Sequence, residues 1–281
     1  IFGKTATSSS RWSNEAFALY MLSTGKLAIR MATTKTDNSR EVKVSPYSGT
    51  TTGAAINDGR WHHVALVYSQ ATGKAKAYVD YAEAVTLDCG EGRPIDYGPA
   101  SVGDAYKAFV MGGYCYASTA NVGRKFDGCI DELRISNAAL APAQFLRHKE
   151  ADDDVVLRMR FDTQMGRQNA IDNTMWYNDI NVNASYKGEF AQASGASKPV
   201  FEPTDQVAAI VRAGFYDDAE NNTGCMSFPA STASRYVKVA GITTALANWG
   251  SATVLNNEVS YTLECAFKLR SGVTGSSQTP I

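Results

Sequence analysis

Apolar and polar residues alternate with a period of two through most of this chain, and Gly, Asn, Asp and Ser clusters break the runs. That pattern constrains the fold more than any other feature, because strand side chains point to opposite faces in turn. It predicts strands at 16–21 (AFALYM), 26–31 (KLAIRM), 62–68 (HHVALVY), 74–80 (KAKAYVD), 107–111, 129–135 (CIDELRI), 155–161 (VVLRMRF), 225–228, 236–239 and 261–269. TGK occurs at 24–26 and again at 72–74, each time between two alternating runs, as a hairpin turn should. One short helix is predicted from Ala138 to about Arg147, with Leu140, Phe145 and Leu146 on one face and Pro142 in its first turn. Residues 164–224, rich in Asn, Asp, Ala, Gly and Ser, read as long loops with one strand near 207–212. Many strands with one minor helix predict an all-β fold, a two-sheet antiparallel sandwich. No segment of 1–150 recurs in 151–281.

Composition narrows the function classes. At 281 residues the chain fits one large β domain or two smaller ones, and 44% hydrophobic with 20% charged residues is enough to build a core. With 27 basic against 28 acidic residues, well mixed, it carries no electrostatic footprint for nucleic acid or an anionic membrane. The longest apolar runs, such as VAAIV at 207–211, are far too short to span a bilayer, so membrane insertion is not expected. Cysteines at 89, 115, 129, 225 and 265 contain no CxxC pair, which removes zinc and thioredoxin-like spacings. Two disulfides and one free thiol, or none at all, remain open. Asn183 (NAS) and Asn221 (NNT) are sequons that matter only where the source glycosylates.

GRWHHVALVYS at 59–69 invites a metal or acid–base reading. Strand geometry opposes it. His62 and His63 diverge, so they cannot chelate one ion together, and His148 has no ligand spacing to either. Trp61, His63, Ala65 and Val67 share one face, and His62, Val64, Leu66 and Tyr68 the other, which favours packing and hydrogen bonding. A glycosidase would need two carboxylates on one strand face. Asp131 and Glu132 are adjacent and face opposite ways. Glu150, Asp152 and Asp154 do alternate, but in a polar connector whose plain reading is a solvated linker and whose alternative is a calcium site. No GxSxG, phosphate loop or Cys–His arrangement occurs, so no catalytic residue, cofactor site or metal site is assigned, and the chain is not expected to be an enzyme. Calcium remains the one cofactor left open.

Three stretches together resemble the laminin G-like family of concanavalin A-like jelly-roll domains. NDGRWHHVALVYSQATGKAKAYVD (57–80) is similar to that family's signature hairpin, with Tyr81 standing where the family usually has Gly. FDGCIDELRISNAALAPAQFL (126–146) is similar to its closing strand and short helix, and VVLRMRFDTQMG (155–166) to its opening strand. The resemblance implies a jelly-roll sandwich. It also implies an unusual order, since the opening strand follows the closing helix. Joining QTPI to IFGK restores the family's order, so 1–150 reads as the back part of one jelly roll and 151–281 as the front part of the next, or of the same one permuted. One period of a tandem array, a circular permutation and strand exchange between subunits all remain open. The resemblance further implies a disulfide between Cys129 and Cys265, since the closing strand lies near YTLECAFKL in the family.

For function, it implies a non-catalytic extracellular or cell-surface module serving adhesion or scaffolding. Its partners would be neighbouring copies of itself, glycans or cell-surface proteins, and head-to-tail contacts would build a filament. The alternative is a carbohydrate-binding module of a secreted lectin or glycan-active enzyme, with Tyr114 and Tyr116 among the aromatic candidates for stacking.

Overall fold

Antiparallel ladders pair the backbone N–H and C=O groups of alternating runs while turning one side-chain face inward. The computed structural model describes residues 2–5, 15–22, 24–45, 53–96, 109–112, 114–115, 122–123, 126–145, 155–159, 176–177, 187–192, 200–203, 224–228, 235–240 and 260–269. The first strands are β1 (Phe2–Thr5), β2 (Glu15–Met21), β3 (Leu27–Thr34), β4 (Arg40–Ser45), β5 (Trp61–Ser69), β6 (Lys74–Val79) and β7 (Ala82–Asp88). Next come β8 (Phe109–Met111), β9 (Tyr114–Cys115), β10 (Val122–Gly123), β11 (Gly128–Ser136) and β12 (Val155–Met159). The last are β13 (Trp176–Tyr177), β14 (Lys187–Gln192), β15 (Val200–Pro203), β16 (Gly224–Phe228), β17 (Arg235–Ala240) and β18 (Tyr261–Leu269).

Two antiparallel sheets carry almost all of these strands. One runs β13-β14-β17-β8-β1-β2-β3-β4 and the other β15-β16-β11-β18-β5-β6-β7, with β12 also paired to β11. Strands from the two ends of the chain interleave. β18 lies between β11 and β5, and β8 lies between β17 and β1. Phe17, Leu19, Ile29 and Phe109 of the first sheet meet Val64, Leu66, Ile130, Phe228 and Phe267 of the second in one buried cluster, the core of the expected sandwich. At the TGK turns Gly25 and Gly73 have φ of 79° and 62°. A Cβ on Gly73 would stand 2.1 Å from the backbone of Gly90, so only glycine fits where these loops cross.

Several expectations are corrected. Residues 164–224 are not all loop, since β13, β14 and β15 fall within them, while 207–212 lies outside the described residues. β14 is short and polar, and it becomes a strand by pairing along its whole length with β17. The predicted helix reduces to a single 3-10 turn, Pro142–Gln144, among the described residues. Pro142 starts it as expected, and Phe145 leaves in extended conformation, ψ 177°, to bury its ring.

The Cys129–Cys265 disulfide does not form. Cys129 sits opposite Lys268, three residues along β18 from Cys265. Cys265 belongs to the inner core together with Ile130, so Cys129 next to Ile130 faces the other way. Cys89, Cys129, Cys225 and Cys265 are all outside disulfides.

Candidate functional site

The hairpin of β5 and β6 is where the candidate side chains gather. Alternation along β5 sends Val64, Leu66 and Tyr68 into the core and puts Ala65 and Val67 on the outer face. His62 and His63 therefore part company, and each finds its own carboxylates.

On the outer face, His63 is 1% exposed and its Nε2 lies 2.9 Å from Oε2 of Glu264. Glu264 is fully buried at the centre of β18, directly opposite Ala65 on one side and Arg134 of β11 on the other. Arg134 donates through Nε to the other carboxylate oxygen, Oε1, at 2.5 Å, and its Nη2 also pairs with that oxygen. The same Nη2 donates to the carbonyl of Gln144 at 2.7 Å. An ionised Glu264 can only accept, so His63 presents Nε2–H to it and turns its other ring nitrogen, Nδ1, away. That Nδ1 is buried without a hydrogen-bond partner among the described residues.

Residues 137–145 form a strap over this ion cluster. Thr262 ties it down, accepting from the Leu140 N–H at 2.8 Å and donating to the Ala138 carbonyl at 2.7 Å. Leu140 and Phe145 then pack on Ala65, Val67 and Tyr78. Gln144 folds back so that its side-chain oxygen accepts from the Ala141 N–H. The His63 ring lies flat against Tyr81, centroids 4.6 Å apart at 4°, and 5.5 Å from the Phe145 ring. Tyr81 reaches that position from a left-handed backbone, φ 69°, in the two-residue turn with Asp80, φ 48°. Such a turn favours glycine at this place. The stack on His63 and Phe145 offsets the strain of a side chain there.

The other histidine bridges two aspartates. His62 Nδ1 is 2.8 Å from Asp80 Oδ2, and Nε2 is 3.0 Å from Asp58 Oδ1. Burial of the ring opposes its charge, but the hydrogen bonds to Asp80 and Asp58 outweigh that and hold its pKa above the ordinary value. Asp58 is correspondingly lowered. Its own partial burial works against ionisation, and the Arg60 amide and His62 overcome it.

Asp131 and Glu132 lie in a β-bulge, where Glu132 takes φ 50° and the register with β18 shifts between Asp131 and Arg134. Simple alternation does not place these two residues. Asp131 Oδ1 accepts from the Glu132 N–H, and both residues are buried. His148, Glu150, Asp152, Asp154, Tyr116, Asn183 and Asn221 lie outside the described residues, as does the side chain of Tyr114. Among the described residues no group of three or more His, Cys, Asp or Glu is arranged to hold a metal ion, and no helix is long and apolar enough to cross a membrane.

Sequence reasoning found the two histidines and missed their partners. Asp58 was within reach of a local search, four residues before His62. Glu264 had one signal, a charge in the middle of the apolar run YTLECAFKL.

The hairpin, the closing strand β11 and the strap all fall inside one stretch that a family model matches. The match covers residues 3–145, half of the chain, and the family is laminin G, described as the concanavalin A-like lectin/glucanases superfamily. The chain belongs to this superfamily. No curated protein and no solved structure matches it. Within the matched stretch the signature Trp-His-His-Val strand takes its hydrogen-bond partners from both sides of the match boundary, since Asp58 and Asp80 lie inside it and Glu264 outside.

Proposed function

We propose that this chain is a non-catalytic, extracellular module of the laminin G-like kind, serving adhesion or scaffolding as one period of a tandem array of like units. The observation that carries the reading is the use made of the signature hairpin. Glu264 is taken up on both oxygens by His63 and Arg134 beneath the strap, and all three side chains are too deeply buried for a glycan or peptide to reach them. His62 is held between two aspartates. These are cross-links that stiffen a binding or structural domain.

The tandem arrangement is supported by the order of landmarks. β12, which resembles the family's opening strand, follows the closing strand β11 in sequence and pairs with it in space. Residues 1–150 and 151–281 would then be the back and front parts of adjoining jelly rolls. A permuted single domain and strand exchange between subunits would use the same pairings. The mass of the native polypeptide separates them. A multiple of this unit, seen as filaments or arrays by electron microscopy, supports the proposal, and a monodisperse single unit that never elongates overturns it. Protease shaving of intact cells tests the surface location.

A carbohydrate-binding module is the second reading, favoured by the superfamily to which the chain belongs. Binding on a glycan array, with a dissociation constant that survives multivalent controls, would replace the structural reading with this one.

A further inference from the structure

The Asp58–His62–Asp80 bridge has a feature that simple packing does not require. Both aspartates are already fixed by backbone donors: Asp58 Oδ1 accepts from the Arg60 N–H at 2.9 Å, and Asp80 Oδ1 accepts from the His63 N–H at 3.0 Å. An ionised carboxylate can only accept, so each contact with His62 calls for a proton on the ring. A neutral imidazole has one N–H, and only the imidazolium has two. The ring is 12% exposed and lies beside Phe267, centroids 6.2 Å apart, and each of its nitrogens is already directed at one aspartate. Both contacts therefore exist together in one protonation state only.

We propose that His62 is a proton-operated clasp, which in its doubly protonated form ties the segment before β5 to the β6–β7 turn and on losing one proton releases the Asp58 side. The asymmetry follows from what else holds each aspartate. Asp80 belongs to a two-residue turn between paired strands, and its own N–H donates to the His63 carbonyl at 2.9 Å. Asp58 sits in a short segment that is anchored at Ile56, whose N–H donates to the Gly25 carbonyl at 2.8 Å. The Asp58 side chain is 39% exposed and that of Arg60 82%. The released length is thus 57–60, four residues at one rim of the sandwich.

The charged groups that face the ring among the described residues are few. Asp58 and Asp80 contact it, and Arg60 Nε lies 3.6 Å from the far oxygen of Asp58. From β18 the ring meets apolar Phe267, while the next residue, Lys268, stands opposite Trp61 and so belongs to the other face. Burial favours the neutral ring, and so does the like charge of Arg60, but that guanidinium is 82% exposed and screened by solvent, whereas both aspartates contact the ring directly. The folded pKa of His62 lies above the ordinary 6.5, so the clasp is complete below that value and opens as pH rises through the folded pKa. A rim that loosens at alkaline pH and closes toward acid pH is the behaviour built into this hairpin.

The test uses the full chain. Imidazole 15N shifts of His62 should report protons on both ring nitrogens at pH 6.5. Amide exchange corrected for its intrinsic pH dependence should show Arg60 losing roughly tenfold or more protection as the ring titrates, the order expected of a charge-assisted hydrogen bond, while Ile56 stays protected. Asp58→Asn keeps the shape and removes the charge. It should lower the His62 midpoint and erase the step at Arg60. A ring with a single proton at pH 6.5 overturns the proposal by the wild-type measurement alone. So does a step of unchanged size in Asp58→Asn, or Arg60 protection that is flat through the titration.

Discussion

Glu264→Gln is the substitution that bears hardest on the buried cluster. The change is nearly isosteric, so packing is preserved and only charge and hydrogen-bond polarity alter. In the native chain Glu264 accepts on both oxygens, from His63 at one and from Arg134 at the other. An amide accepts at one end only. Its oxygen can remain with Arg134, but its NH2 then faces the His63 Nε2–H, donor against donor. If His63 shifts its proton to Nδ1 to relieve this, that proton is buried in a place where Nδ1 has no partner among the described residues. In either case the Arg134 guanidinium, 5% exposed, has lost the negative charge that compensated it.

Removing one member of such a buried pair costs about 3–5 kcal/mol. For a chain of this size each kcal/mol shifts the melting midpoint by about 2–4 °C, so a fall of roughly 6–20 °C is expected. Urea unfolding followed by tryptophan fluorescence gives the free energy, and hydrogen exchange locates it. Leu140 and Phe145 amides should lose protection first, because Arg134 also holds the Gln144 carbonyl and so ties down the strap. Replacing the pair together, Glu264→Leu with Arg134→Met, should recover most of the loss, since no charge is left buried. A Glu264→Gln protein within about 1 kcal/mol of wild type, with its strap still protected, would refute this account of the cluster.

Deleting residues 259–281 should abolish cooperative unfolding, because β18 is central in its sheet and buries Leu263, Cys265, Phe267 and Leu269; a truncated chain melting cooperatively at an unchanged midpoint refutes it. At Tyr81, Gly should be the better replacement than Ala by about 1 kcal/mol in urea unfolding, since the left-handed backbone stays while the stack is lost from both. Stability should fall as pH rises through the folded pKa of His62, and His62→Gln should flatten that slope in melts between pH 6 and 9. Burial pushes the Cys89 thiol up to about 12 and Cys265 higher still, so neither should react with iodoacetamide at pH 8 until the chain unfolds, as mass spectrometry of native digests will show.

What the sequence revealed and what it hid separate along a physical line. Alternation is a local property, so β2, β3, β5, β6, β11, β16 and β18 were legible, and so were the glycine turns at Gly25 and Gly73. β14 was not, because KGEFAQ has little apolar content of its own and is a strand only by virtue of β17. The helix was overestimated for a related reason. Its apolar spacing is real, but Leu140 and Phe145 are drawn down separately onto Ala65, Val67 and Tyr78, and one 3-10 turn is all that spans the distance between them. In the bulge, alternation counted through Asp131 and Glu132 loses its parity without any glycine to announce it, since the Asp131 side chain holds the Glu132 amide in the turn.

The histidines show the same division at the level of function. Their divergence follows from strand geometry and was legible. Glu264 lies 201 residues from His63, and no local pattern connects them. Yet the two bridges answer a common need. β5 sits between β18 and β6, and its signature end must be fixed to elements that its own ladder does not reach. His62 reaches the segment before the strand and the turn after the next one, and His63 reaches, through Glu264 and Arg134, the strap beyond β11. A divergent pair is the arrangement that does this from two successive positions, one partner set on each face of the sheet. The same alternation that denies the pair a shared metal ion is what lets it join these three separate segments to β5, and that is the physical content of two adjacent histidines in this strand.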